Sequence, residues 1–338
     1  MKLYGGIDLH STNSYVVLID EQGNMVYKKR LANDLKLILF ELANFNEIQS
    51  LVVESTYNWY WLVDGLNDSG FKVKLANPNA IQQYKGLKHT NDKTDARWLA
   101  ELSRLNILPE GHIYPKETRG IRDLLRKRGQ LVENKTMHLL SMRTIIERNT
   151  SLRFTANQLH KITEEDLCKC LADEDITLAV NSNRIIMQNL AEQIKVIEKR
   201  ILSKVKPNPI YRSLQTVPGI GEILSLTILL ETGDINRFNQ VGNYASYCRC
   251  VNSERISNGK KKGENNQKNG NKYLCWAYVE AANLAIRHYD TIKKFNQRKK
   301  SKTNGIIAIK TIAHKLARAC YYIMRDNVEF DMSKTFNC

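Results

Sequence analysis

The stretch from His89 to Ala100, HTNDKTDARWLA, sets Asp92 and Asp95 three residues apart at the head of an apolar, helix-like run. Positions three apart share one helix face, so both carboxylates can aim at one place. Taken alone, the pair reads as a helix start, with Asp92 as N-cap and Asp95 as an acidic first-turn residue. Two further carboxylates change that. Asp8 ends a strand-like run in GIDLH, and Glu54 ends another in VVEST. Strand ends on one side of a sheet can bring such side chains together. Four carboxylates in a small space repel one another unless divalent cations lie between them, and Mg²⁺, a hard and oxygen-seeking ion, suits such a set. Two such ions can activate an attacking oxygen and stabilise a leaving one on phosphate.

The elements that must position these residues are readable in the apolar spacing. KLYGGIDLH, SYVVLIDEQG and MVYKKRL read as a three-strand meander, with Gly23-Asn24 in one turn. DLKLILFELANF has helical spacing, with Leu35, Ile38, Leu39 and Leu42 on one face. A strand (IQSLVVEST), a helix closed by Gly70 (NWYWLVDGLNDSG) and a strand stopped by Pro78 (FKVKLANP) follow, before the helix that opens at Asp92. Residues 1–115 are therefore expected to form an α/β domain with a mixed sheet. Residues 116–205 show no strand pattern. Two long amphipathic helices are expected, one using Leu124, Leu125, Leu131, Met137, Leu140 and Ile145, the other Ile185, Leu190, Ile194, Ile197 and Ile201. They would form an antiparallel hairpin or coiled-coil arm. Pro207 and Pro209 mark a boundary, and residues 206–338 read as mainly helical with a polar loop at 252–271.

The chain has 338 residues, of which 42% are hydrophobic, enough for two domains and a sizeable core. No apolar run approaches the roughly 18–20 residues of a membrane span, and the chain opens on a strand pattern without a signal peptide. The seven cysteines have no paired zinc spacing and read as reduced cytosolic thiols. The net charge of +16 is uneven. Residues 1–115 hold 12 Lys/Arg against 13 Asp/Glu, residues 116–150 hold 9 against 4, and residues 254–304 hold 13 against 4. Two basic zones beside a near-neutral first part point to a polyanion partner. Arg122, Arg126, Lys127 and Arg128 stand in the first zone, and Lys260, Lys261, Lys262, Lys268 and Lys272 in the second. At Pro218-Gly219-Ile220-Gly221, the two glycines and the helix N-terminus that follows could receive a phosphate. The same turn could equally be a tight helix–helix connection. Tyr244, Tyr247, Tyr273, Trp276 and Tyr278 lie among basic residues and could stack on bases, although their helical spacing also suits a core.

The order of these features resembles the DEDD transposases of the insertion sequence 110 family. The likeness is carried by YGGIDLHSTNSYVVLID, VVEST, NDKTDARWLAEL, VPGIGEILSLTILLETGD, KNGNKYLCWAYVEAA and AHKLARACYYIMRD, and it covers nearly the whole chain. The resemblance implies an RNase H-like (RuvC-like) N-terminal domain whose metal-binding tetrad is Asp8, Glu54, Asp92 and Asp95. It also implies a helical arm and a C-terminal transposase domain with a helix-hairpin-helix-like turn at PGIG. That domain carries a serine nucleophile, which falls on Ser257 with Ser253 as the alternative, followed by a Lys-x-Gly-Asn segment matched by Lys268, Gly270 and Asn271. Ile256 and Asn258 depart from the small residues that flank the family's serine. The implied partners are donor and target DNA, a structured guide RNA encoded by the element, and further copies of the chain as a dimer or tetramer. The implied place is the bacterial cytoplasm, on the nucleoid when active. A RuvC-like junction resolvase that uses water, and a non-catalytic nucleic-acid-binding relative, are the competing expectations.

Overall fold

The computed structural model describes residues 1–81, 91–206, 208–264, 266 and 268–336. His89, Pro207 and Cys338 lie outside the described residues. The described chain falls into two compact units, one of residues 1–116 with 253–269, the other of 117–252 with 270–338.

In the first unit, strands β1 (Leu3–Leu9), β2 (Asn13–Ile19), β3 (Met25–Ala32), β4 (Ile48–Glu54), β5 (Val73–Ala76) and β6 (Glu110–Gly111) form one sheet in the order β3-β2-β1-β4-β5-β6. The pairs β1–β2 and β2–β3 are antiparallel, as the meander predicts, while β1–β4 and β4–β5 are parallel and β5–β6 is antiparallel. The β2–β3 turn closes on Asp20, whose carboxylate accepts from the Gln22 and Asn24 backbone N–H groups, and Gly23 has a φ of +85°. Helices α1 (Leu35–Leu42), capped by Asp34, and α2 (Tyr60–Asp68) follow β3 and β4. They bury Ile38, Leu42, Leu62 and Leu66 with Leu3, Ile7, Leu9, Val16, Leu18, Leu51 and Val53 of the sheet. Helix α3 (Asp92–Arg104) covers the opposite face, where Ala96 and Ala100 meet Val17 and Ile19, and Leu99 and Leu102 meet Val52 and Ala76. Its N-cap is Asn91, not Asp92, because the Asn91 side chain accepts from Thr94 N–H while the Thr94 hydroxyl accepts from Asn91 N–H.

The second unit is mainly helical. Helix α4 (Lys116–Thr150) runs into the short α5 (Ala156–Lys161) and α6 (Glu164–Cys170), and α7 (Glu174–Val205) returns. Leu139, Met142 and Ile146 pack with Val180 and Met187, while Leu125 packs with Ile201 and Val205, so the two long helices are antiparallel. The buried positions Val180, Met187, Ile194 and Ile201 recur every seven residues, the repeat of a coiled-coil seam. Met137, Leu140 and Ile185, expected on the apolar faces, are exposed. Leu125, Ile194 and Ile201 are buried as expected, and Leu124, Ile145 and Ile197 pack against the core.

Beyond the arm come α8 (Pro209–Leu214), α9 (Glu222–Thr232), α10 (Val241–Tyr247), α11 (Lys272–His288), α12 (Asp290–Lys302), α13 (Gly305–Asp326) and α14 (Met332–Phe336). Pro209 starts α8 at its first turn, where a missing N–H is harmless. Tyr244 and Tyr278 are wholly buried with their hydroxyls 2.6 Å apart, so these two aromatics belong to the core, whereas Trp276 is exposed. Among the described residues no helix is long and apolar enough to cross a membrane.

Candidate active site

The four carboxylates reach one face of the sheet for reasons of period. Side chains alternate along a strand, so Asp8 shares its face with Gly6, and Glu54 shares its face with Val52, which packs under α3. Strands β1 and β4 are parallel neighbours, with Ile7 opposite Val53. The next residues are Asp8 and Glu54, which hydrogen-bond to each other. On α3, Asp92, Asp95, Ala96, Leu99, Leu102 and Ser103 form one stripe, and from Ala96 onward that stripe is buried against the sheet. Gly6 lets the helix come this close, since a Cβ there would collide with the Ala96 carbonyl oxygen and lie 2.7 Å from the Ala100 nitrogen. A buried hydroxyl pair, Ser50 with Ser103 at 2.8 Å, ties β4 to the same helix. The first turn of α3 is thereby held over the ends of β1 and β4.

The electrostatics match a crowded acidic site. Asp8 is only 4% exposed. Burial pushes Glu54 up to about 7, helped by the charge of Asp8, their shared hydrogen bond and the charge of Asp95. Burial likewise raises Asp8, against the pull of His10, and raises Asp95, with Asp8 and Asp92 adding to it. His10 was not singled out by sequence reasoning. Its Nε2 stands 3.3 Å from Asp8 Oδ2 and 3.3 Å from Asp92 Oδ2, and these three residues form a group able to hold a metal ion. The available signal was the spacing Asp8-x-His10 at a strand end. The oxygen donors suit a hard divalent cation, whose charge would offset the repulsion that raises these carboxyls.

Ser257 lies at the end of β7 (Arg255–Ser257), which pairs with β8 (Lys260–Gly263) through an Asn258-Gly259 turn with φ of +49° and +69°. The polar loop expected at 252–271 therefore contains a hairpin. Asn-Gly is the strongest short hairpin signal, but these strands lack the alternating apolar residues that usually accompany it. Ser257 is exposed and Ser253 half-buried. Both belong to the same compact unit as the four carboxylates.

Comparison with known proteins bears on the same two regions. A family model for DEDD transposases of the IS110 type, described as "Transposase", matches residues 5–148. A second, "Transposase IS116/IS110/IS902 family", matches residues 211–297. The chain is also similar to the transposase for insertion sequence element IS1111A of Coxiella burnetii (strain RSA 493 / Nine Mile phase I), with 22% identity over 289 residues, 84% of this chain and 78% of that protein. The chain belongs to the insertion sequence 110 family of transposases. It is a DNA transposase, and its DEDD family suggests a divalent metal.

The expected nucleic-acid contacts of this transposase divide on inspection. Lys260, Lys261 and Lys262 are exposed on β8, and Lys268, Lys272 and Lys127 are exposed as well. Arg122 and Arg126 instead grip the buried carboxylate of Glu231, at 3.0 and 2.6 Å. Arg126 also lies 4.2 Å over the Tyr273 ring. Arg128 pairs with Glu198 at 2.8 Å. Asn271 caps α11 by accepting from the Tyr273 and Leu274 N–H groups and donates to Glu231 at 2.8 Å. These four side chains are engaged within the protein. Burial alone would raise Glu231, but the Arg126 hydrogen bonds, the Arg122 charge and the Asn271 amide outweigh it and hold the carboxyl below its usual range. Gly219 has a φ of +80°, and a Cβ there would strike the Ala281 carbonyl oxygen of α11. A helix backbone already fills the close approach that sequence reasoning offered to a phosphate. Gly221 caps α9 with open space around it.

Proposed function

We propose that this transposase cuts and rejoins donor and target DNA by a serine-recombinase chemistry at a two-part site. Asp8, Glu54, Asp92 and Asp95 would hold Mg²⁺ as a pair of ions, and Ser257 would be the nucleophile. The observation that carries the reading is the convergence of the carboxylates at the ends of β1, β4 and the start of α3. The strand order, an antiparallel meander continued by two parallel strands, supports an RNase H-like (RuvC-like) domain over residues 1–115. Residues 116–205 would serve as arm and 206–338 as transposase domain, with the Ser257 hairpin supplied to the carboxylates of the same or another copy in a dimer or tetramer. Bound divalent ions would orient the scissile phosphate and stabilise charge on it. Ser257 Oγ would then replace one ester oxygen on phosphorus and release a DNA hydroxyl. The hydroxyl proton of serine passes to the departing oxygen, and attack by a second DNA hydroxyl reverses the step onto a new strand. An element-encoded RNA would select the strands, with the RuvC-like domain and the arm at 116–150 as its seat.

The test is a covalent-trapping gel with labelled DNA, cognate RNA and Mg²⁺. A protein–DNA adduct is expected with the wild type and with neither Ser257→Ala nor Asp92→Asn. An adduct lost in Ser253→Ala but kept in Ser257→Ala would move the nucleophile to Ser253. Cleavage without adduct that survives both serine changes would leave a metal-dependent nuclease using water.

A further inference from the structure

His10 sits inside the carboxylate cluster, yet none of the four DEDD positions accounts for it. Its Nε2 is 3.3 Å from an oxygen of Asp8 and 3.3 Å from an oxygen of Asp92. That nitrogen is shielded from solvent and makes no hydrogen bond. The residue itself is firmly anchored. Its N–H donates to the Asn13 carbonyl at 2.9 Å, and its own carbonyl accepts from the side-chain amides of Asn33 and Asn58, each at 2.9 Å. Those amides are held in turn, because Asn33 accepts from the Ser14 hydroxyl at 2.7 Å and Asn58 from the Thr56 hydroxyl at 2.9 Å. Two segments distant in sequence thus fix the backbone of His10, from which the imidazole reaches two carboxylates.

An octahedral ion with ligands at about 2.1 Å has neighbouring ligand atoms about 3 Å apart. The spacing of Nε2 from the two carboxylate oxygens is close to that edge. We propose that His10 is a protein ligand of the divalent ion held by Asp8 and Asp92, and that its imidazole shifts the preference of the site from Mg²⁺ towards first-row transition ions such as Mn²⁺. The inference rests on the metal reading of the carboxylates given above. Mg²⁺ takes oxygen ligands almost exclusively, whereas a neutral imidazole nitrogen binds first-row ions well. The alternative is an imidazolium that merely pairs with the two carboxylates. That group would be displaced, not bound, when a cation enters.

The decisive measurement is pulsed electron paramagnetic resonance on the full chain loaded with Mn²⁺, which detects a coordinated nitrogen directly, alongside calorimetric titration with Mn²⁺ and with Mg²⁺. The expected result is nitrogen modulation in the wild type, absent from His10→Gln and retained in His89→Gln. His10→Gln is expected to lower Mn²⁺ affinity about tenfold and to change Mg²⁺ affinity far less. Should His10→Gln fail to fold, His10→Asn is loaded in its place, and ¹⁵N-histidine in the wild type must change the isotope of the coupling if a histidine is the ligand. Mn²⁺ bound in a manner abolished by Asp8→Asn, but without nitrogen modulation, would overturn the role of His10 and leave the carboxylate site standing. Loss of the modulation in His89→Gln would also overturn it. Failure of Mn²⁺ and Mg²⁺ to bind at all would remove the metal reading and the inference together.

Discussion

Asp8 and Glu54 are neighbours across a parallel strand pair; burial raises both, and Asp8 adds to the rise of Glu54 while the hydrogen bond from Glu54 opposes that of Asp8. The consequence is a pH dependence with a definite sign. Glu54 moves from an ordinary 4.5 up to about 7 in the folded chain, and Asp8 and Asp95 move in the same direction. A carboxyl whose folded value is raised binds protons more tightly in the folded state, so stability falls as pH rises through the interval between the two values. In chelator, the cluster should therefore reduce stability progressively between pH 4.5 and about 7. Urea unfolding across that range should show a decline that Glu54→Gln makes shallower, and a divalent cation should reverse it in the wild type. Equal slopes in the two proteins would mean that Glu54 is not raised by burial and its neighbours in the folded chain. Much of this site was legible, because an acid at a strand end and an Asp-x-x-Asp at a helix head are local signals. The hydrogen bond between Asp8 and Glu54 was not, since β1 and β4 are joined only through the register of a parallel pair. His10 was missed because one imidazole gains meaning from what surrounds it, and its partners Asn33 and Asn58 come from elsewhere in the chain.

Helices and strands were read well where burial is one-sided and badly where it is not. The three-strand meander and the first three helices follow the expected order because each presents one apolar face to the sheet. The arm was harder. Helices α4 and α7 carry apolar residues on more than one strip, and only the partner helix selects which strip is buried, so the spacing predicts Met137 and Leu140 in the core where Leu139 and Ile146 fill it. Arg122 and Arg128 look free in the sequence because their partners Glu231 and Glu198 lie 109 and 70 residues further along the chain. The Glu231 cluster makes an element-scale prediction. This carboxylate is 1% exposed and is shared by Arg122, Arg126 and Asn271, which caps α11. Removing its charge leaves a buried guanidinium uncompensated, which typically destabilises by about 3–5 kcal/mol. Glu231→Gln should therefore lower the urea midpoint sharply, whereas Glu198→Gln, which breaks the more exposed Arg128 pair, should lose about 1 kcal/mol or less. Similar losses for the two variants would show that the buried cluster is not what fastens α4, α9 and α11 together.

At the scale of the whole molecule, the surplus of +16 must be separated into charge that holds the protein together and charge offered to DNA. Arg122, Arg126 and Arg128 belong to the first class by their ion pairs. The exposed run Lys260, Lys261 and Lys262 on β8 is proposed for the second, although Lys261 also reaches Glu254 at 3.3 Å on the surface. Each phosphate neutralised by a lysine releases condensed counterions and adds about 0.9 to the slope of log affinity against log salt concentration on duplex DNA. Replacing the three lysines with glutamine should therefore reduce that slope by between about 2 and 3, with little change in unfolding free energy, because exposed charges contribute little to stability. Arg128→Gln should do the reverse, leaving the slope unchanged while weakening the arm. Fluorescence anisotropy over a salt series measures the first quantity and urea titration the second. If the triple variant keeps the wild-type slope, the hairpin does not touch the DNA backbone, and a serine carried on it would have no phosphate within reach.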